Sequence, residues 1–330
     1  MRLGSALALA VGLALLGLVI RASDPQAAMA LLGRLPPSAA LWVLALFMLA
    51  WAAEIEAWAL TFAARPVTPR WYGQLWLVNM VGEALNVVMP FGALGGEPVK
   101  AWLLKRHHAV SYRESGATLV LMQTLLAVAE ALFVVIGAAL AAALGLLPPA
   151  MAQLLYVAAA CLVAAMTLAL LGLRLRWLRT LLAHIESRLA QARHRRWLAA
   201  LGDIEHALAD FARVERRRLV ASTGLYLVNW LGGAAEVWLM LELLNAALPF
   251  AHCWVAEAAI VTIRSLTFFL PAQLGSVEAV TVWVVAALGG STESGLALAA
   301  LRRARELAWA ALGLGVGAAY RLEWRGAPRD

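Results

Sequence analysis

Six stretches of this sequence are apolar for long enough to cross a lipid bilayer as helices, and nothing else constrains its fold as strongly. A spanning helix needs about 20 mostly apolar residues. Segments 3–20, 37–63, 115–146, 149–173, 219–247 and 292–320 are the candidates. Several run past the minimum, which predicts tilt or extension beyond the hydrocarbon. Of the 330 residues 63% are hydrophobic and 14% charged, more apolar surface than one soluble core can hide. The chain therefore reads as an all-α polytopic membrane protein. Leu3–Ile20 follows Arg2 but leads to no small-x-small cleavage site and soluble domain, so it reads as a retained span rather than a signal peptide.

Two further apolar regions are interrupted midway. Region 71–104 breaks at Pro90-Phe91-Gly92-Ala93-Leu94-Gly95-Gly96-Glu97-Pro98, and region 253–289 breaks at Pro271-Ala272-Gln273-Leu274-Gly275-Ser276. Each half is too short to cross at about 1.5 Å per residue. Pro90 removes a backbone donor and ends a helix near Met89. Gly92, Gly95 and Gly96 permit positive φ and close backbone approach. Glu97-Pro98 suits a helix restart. Broken backbone at membrane depth is tolerated where it is buried in protein or lines a wet cavity, so a cavity bounded by half-helix ends is expected. The alternative is a cytoplasmic loop between two short interfacial helices.

Basic residues set the orientation. With the N-terminus inside and both broken regions entering and leaving on one side, the cytoplasmic segments hold 21 of the 27 Lys and Arg, including Lys100. The external loops hold only Arg21 and Arg34, and Arg264, Arg302, Arg303 and Arg305 stay within apolar segments. The expectation is six transmembrane helices plus two re-entrant hairpins, with both termini cytoplasmic. The two units, about 37–146 and 219–320, then have opposite topology, as in inverted-repeat transporters. A shift of 181 residues aligns Pro90 with Pro271, Glu97 with Glu278 and Trp102 with Trp283, and opposes Glu83 to Arg264. Between the units, 174–218 carries 11 Arg and 5 acids around apolar residues at helical spacing. It is expected to lie on the anionic inner leaflet, or to dock a partner.

Intramembrane charges are costly unless paired or hydrated, and so mark candidate sites. Glu54, Glu56, Glu130, Glu236 and Glu242 lie within spans. Glu97 and Glu278 stand at the two restarts, where they cap a helix end or bind a proton or a cationic headgroup. Asn86 and Ser276 are polar neighbours that serve the loop backbone or a ligand. An ion pair between Glu83 and Arg264 across the repeat axis is one expectation. In "LRRARELAW", Arg302 and Glu306 are one turn apart on one face, flanked by Arg303 and Arg305, facing either the cavity or the outer headgroups. Gly313, Gly315 and Gly317 read as a small-residue packing face. The candidate cavity set is Glu83, Asn86, Pro90, Gly95, Gly96, Glu97, Arg264, Pro271, Gly275, Ser276, Glu278, Arg302, Arg305 and Glu306. There is no Walker A sequence, no GxGxxG, no His-x-x-x-His pair and no nucleophile elbow, so no cofactor, metal or catalytic residue is expected. Cys161 and Cys253 suggest no disulfide framework. His107-His108 reads as part of a cytoplasmic basic loop.

"GEALNVVMPFGALGGEPVKAWLLKRH", "FFLPAQLGSVEA" and "ALRRARELAW" resemble the lysylphosphatidylglycerol synthase transmembrane family of flippase-like membrane proteins, over roughly residues 37–320. Within it the chain is similar to the hopanoid-associated transporter subgroup and to stand-alone members. The resemblance implies movement of a lipid or lipid-linked molecule across the bacterial inner membrane. Some members add a soluble domain that makes aminoacyl-phosphatidylglycerol, an activity not expected of a chain ending at Asp330. Gln273 stands where the family pattern has glycine, implying reduced backbone freedom.

The leading expectation is a secondary transporter of lipid, working by alternating access, with Glu83, Glu97 or Glu278 as a proton-coupling group. The alternatives are an intramembrane enzyme acting on a lipid headgroup, or a non-transporting partner of a lipid synthase. Expected partners are membrane lipids, a lipid substrate, and a homo-oligomer or lipid-synthesis partner, with no nucleic acid.

Overall fold

A computed structural model of the chain describes residues 13–14, 16–18, 20–21, 23–62, 65–88, 95–174, 216–268, 270 and 273–325. All regular structure among them is helical: α1 (Pro25–Gly33), α2 (Ala39–Ala59), α3 (Pro69–Val88), α4 (Glu97–His108), α5 (Tyr112–Leu144), α6 (Pro149–Arg174), α7 (Arg216–Leu243), α8 (Phe250–Leu266), α9 (Ser276–Ala287) and α10 (Thr292–Arg325). Pro90 and Pro271, most of the expected span 3–20 and residues 175–215 of the basic segment lie outside the described residues.

Local chemistry sets the ends. Asp24 caps α1 by accepting from the amides of Gln26 and Ala27 at 2.9 and 3.1 Å, with Pro25 in the first turn. Ser111 caps α5 through the Glu114 amide at 3.1 Å, and Gly145 closes it at φ 59°. Helix α4 opens with Glu97 and Pro98 in its first turn, and His107 and His108 form its last turn rather than a loop.

Among the described residues four helices are both long and apolar enough to cross a membrane: α2, α5, α6 (over Pro149–Leu168) and α7. Helix α10 has 34 residues, about 51 Å of helix, but carries the charged stretch Arg302–Glu306 in its middle. Helices α2 and α7 form the central pair. They approach closely because Gly232 presents no side chain to Ala50, where an added Cβ would come within 2.5 Å of the alanine methyl. The Ser222 hydroxyl also donates to the Ala57 carbonyl at 2.8 Å. Two apolar clusters flank this pair. One gathers Trp58, Phe62, Leu75, Leu104 and Met122 from α2–α5 and the turn after α2. The other gathers Phe133, Met240, Val255, Ile260 and Val285 from α5 and α7–α9.

The same spacing recurs in both halves. Displaced by 181 residues, α2–α5 fall on 220–240, 250–269, 278–289 and 293–325. The observed α7–α10 occupy 216–243, 250–266, 276–287 and 292–325, within four residues at every boundary.

Two expectations about glycine are corrected. Gly96 has φ −83°, outside the positive-φ region. Gly96 is needed for close approach, since an added Cβ would lie 2.0 Å from the Gly82 carbonyl oxygen of α3. On α10, Gly313 packs on α3, where a Cβ would come within 2.5 Å of the Met80 carbonyl, and Gly317 lies against Val81. A Cβ at Gly315 would meet nothing within 4 Å. Residues 313 and 317 are four apart and share a face, whereas 315 points away.

Candidate functional site

Between the two halves lies a cavity of about 310 Å³ walled by α2, α3, α5, α7, α8, α9 and α10. Its charged lining falls into two groups.

The first group is built on the α3–α4 hairpin. Lys100, fully buried, donates to Glu83 at 2.6 Å and to Glu97 at 2.8 Å. Its stem fits because residue 82 is glycine; a Cβ there would lie 2.3 Å from the Lys100 Cε. Asn86 braces the same corner, donating to Glu83 at 3.3 Å and accepting from the Gly96 amide at 2.7 Å. Gln123 of α5 donates to Glu97 at 3.2 Å. Two carboxylates thus share one ammonium, an arrangement that compensates the cost of burying the charge. On α2, Glu54 faces the cavity and accepts from the amides of Asn79 at 3.0 Å and Asn229 at 3.3 Å. It makes no ion pair among the described residues.

The second group comes from α10. Arg302 binds Glu257 of α8 in a two-pronged contact at 2.7 and 2.8 Å, the planar geometry that suits guanidinium to carboxylate. It also lies 3.7 Å from Glu236 of α7. Arg305 approaches Glu236 at 2.6 Å and lies over the Phe47 ring at 4.0 Å. Arg303 joins Glu278 of α9, at 2.9 and 2.5 Å, to Glu306, at 2.8 Å. Glu278 in turn accepts from the Gly275 amide at 2.8 Å, so it caps α9 and holds α10 together. Arg264 of α8 lines the cavity, makes no ion pair among the described residues, and leaves its buried Nε without a hydrogen-bond partner.

Of the candidates read from the sequence, Glu83, Asn86, Arg264, Glu278, Arg302, Arg305 and Glu306 line this cavity. Gly95, Gly96, Glu97, Gly275 and Ser276 do not; Glu97 sits behind Glu83 on Lys100, and Ser276 donates to the Gln273 carbonyl at 3.0 Å. The expected Glu83–Arg264 pair is absent, because Lys100, one hairpin arm away, takes Glu83. Glu306 pairs with Arg303 rather than Arg302, whose side chain is drawn to α8 and α7. Lys100 belongs inside the hairpin and not among the cytoplasmic loop cations; its i,i+3 spacing from Glu97 was the available signal. Glu257 gave less warning, being a single carboxylate in the apolar helix α8, 45 residues from its partner. Gln273 adopts φ 52°, a left-handed conformation favouring glycine, and its side chain donates to the Arg264 carbonyl at 3.0 Å. Local hydrogen bonding offsets strain of order 1 kcal/mol. Elsewhere, Ser265 donates to Glu130, Glu242 is exposed, and both cysteines are free thiols. No group of three or more His, Cys, Asp or Glu side chains among the described residues is placed to hold a metal ion.

Fold and cavity together define a multi-pass helical membrane protein with a charged chamber between its two halves. The sequence profile of the lysylphosphatidylglycerol synthase TM region matches residues 5–315, and the chain belongs to that family, whose membrane domains serve lipid metabolism or transport. No curated protein and no solved structure matches it.

Proposed function

We propose that this protein is a lipid translocator of the bacterial inner membrane, with the chamber receiving the polar headgroup while the tails stay in the hydrocarbon. One observation carries the reading. Nearly every charged residue that lines the chamber makes an ion pair with a protein partner, but among the described residues Glu54 and Arg264 make none. A headgroup bringing its own charge fills that gap. The other carboxylates that line the chamber are each engaged by Lys or Arg.

In this reading α3–α4 and α8–α9 are re-entrant hairpins that enter from opposite faces. The units beginning at α2 and α7 form an inverted repeat, and motion of one unit against the other gives each leaflet access in turn. The termini are cytoplasmic, and the basic charge of 174–218 suits attraction to anionic lipid.

The test is transbilayer movement of headgroup-labelled phospholipid in proteoliposomes. Wild type is expected to move the label faster than protein-free vesicles. Arg264→Gln removes a charge-assisted contact worth about 1.5–3 kcal/mol, so its rate should fall about tenfold or more. Wild type indistinguishable from empty vesicles would rule the reading out.

A further inference from the structure

A second space opens on the outside of the helices, between α2 and α10. It is about 430 Å³, lined by alkyl and aromatic side chains of the segment before α2, α2 itself, α7 and α10. Small residues make the room: Ala40 on α2, and Ala304 and Ala308 on α10, are all exposed. Leu44 and Leu312, 43% and 55% exposed, form its outer lip. The groove adjoins the charged chamber, because Phe47, Arg305 and Trp309 line both. Phe47 and Trp309 meet edge to face, 5.2 Å between ring centroids, and form the partition. Arg305 sits at the junction, with its guanidinium over Phe47 on one side and Glu236 on the other.

The recurrence at 181 residues gives this groove a meaning. Its counterpart in the other half is the seam between α7 and α5. That seam is closed: α5 packs along α7, the Trp230 indole donates to the Leu126 carbonyl at 3.3 Å, and Phe133 lies against Trp230. Equivalent helices are thus sealed on one side of the molecule and parted on the other.

We infer that the α2–α10 groove is a binding site for an acyl chain of a membrane phospholipid whose headgroup lies in the chamber. The inference rests on the translocator reading and deepens it. An apolar trough that ends at a guanidinium matches the chemistry of a molecule with an alkyl chain next to an anionic phosphate. A second protein helix would find no such gradient from alkyl to charged along its length.

The experiment uses the full chain in vesicles of phosphatidylethanolamine and phosphatidylglycerol, doped with a phospholipid carrying a photoactivatable diazirine on one acyl chain. Adducts are mapped by mass spectrometry. Labelling of 43–47 and 301–312 should exceed severalfold that of Val157 and Leu168, lipid-facing residues of α6 that are 60% and 58% exposed and line no pocket. Ala304→Trp and, independently, Ala308→Phe should reduce groove labelling to the α6 level. Both positions are exposed, so the variants are expected to fold, and their melting temperatures verify it. Groove labelling no higher than on α6, or unchanged in both folded variants, overturns the inference. A photoactivatable amino acid placed at position 308 that crosslinks to residues 1–24 or to a second copy, rather than to lipid, overturns it too. The readout needs no transport. Groove labelling without translocation by wild type would sink the translocator reading and leave the lipid site standing; translocation without groove labelling would do the reverse.

Discussion

At the scale of single residues, burial and pairing decide what each charge contributes. Lys100 is fully enclosed and neutralises Glu83 and Glu97 together. Lys100→Met would leave two carboxylates in a low-dielectric corner with no cation, a loss of about 3–5 kcal/mol when one partner of a buried pair is removed. Unfolding in mixed micelles should register it as a large drop in stability. Glu54→Gln is the contrasting case. The carboxylate has amide donors but no ion pair, and glutamine keeps the shape, so the cost should stay within about 1 kcal/mol. If the two variants proved equally destabilised, the hub role of Lys100 would be wrong. Sequence alone placed Glu83, Arg302 and Glu306 near the site but mispaired them. A carboxylate's partner depends on the rotation of each helix about its axis and on which neighbour packs beside it. Neither is encoded in local spacing, and Glu257 with Arg302 shows how far apart such partners can be.

At the scale of elements, the breaks were legible and the packing faces only half so. Proline chemistry foretells that α3 ends before Pro90 and that α4 starts around Pro98, because both effects act within one turn of the residue that causes them. The glycine stripe on α10 was misread because three alternate glycines cannot share one helix face. Gly313→Ala should weaken the α10–α3 contact, since its methyl would strike the Met80 carbonyl and the Ala84 methyl. Overpacking of this kind costs about 1–3 kcal/mol. Gly315→Ala meets nothing within 4 Å and replaces glycine with the best helix former, so it should be neutral or stabilising by up to about 1 kcal/mol. Melting temperatures of the two variants, measured side by side in detergent, check the assignment of faces.

At the scale of the molecule, the 181-residue recurrence was detectable from hydropathy and the placement of proline and glutamate, although the identity of individual residues hardly repeats. That is the expected outcome when a unit must preserve helix lengths and break points while each copy packs different neighbours. In the proposed arrangement, the direction in which each hairpin enters the bilayer is read from the distribution of arginine. It predicts that single cysteines at 105–113 react with membrane-impermeant maleimide only after the cytoplasmic side is opened. Labelling of those positions in intact cells would reverse the first hairpin and dissolve the inverted arrangement.

The contact between Gly96 and Gly82 carries a consequence for how this chain tolerates change. A side chain at 82 would collide with Lys100, a flexible group that a shorter replacement could accommodate. A side chain at 96 would collide with the main-chain oxygen of residue 82, which is present whatever amino acid stands there. Drift at the first position is open to rescue by a partner mutation; drift at the second has no compensating substitution at 82.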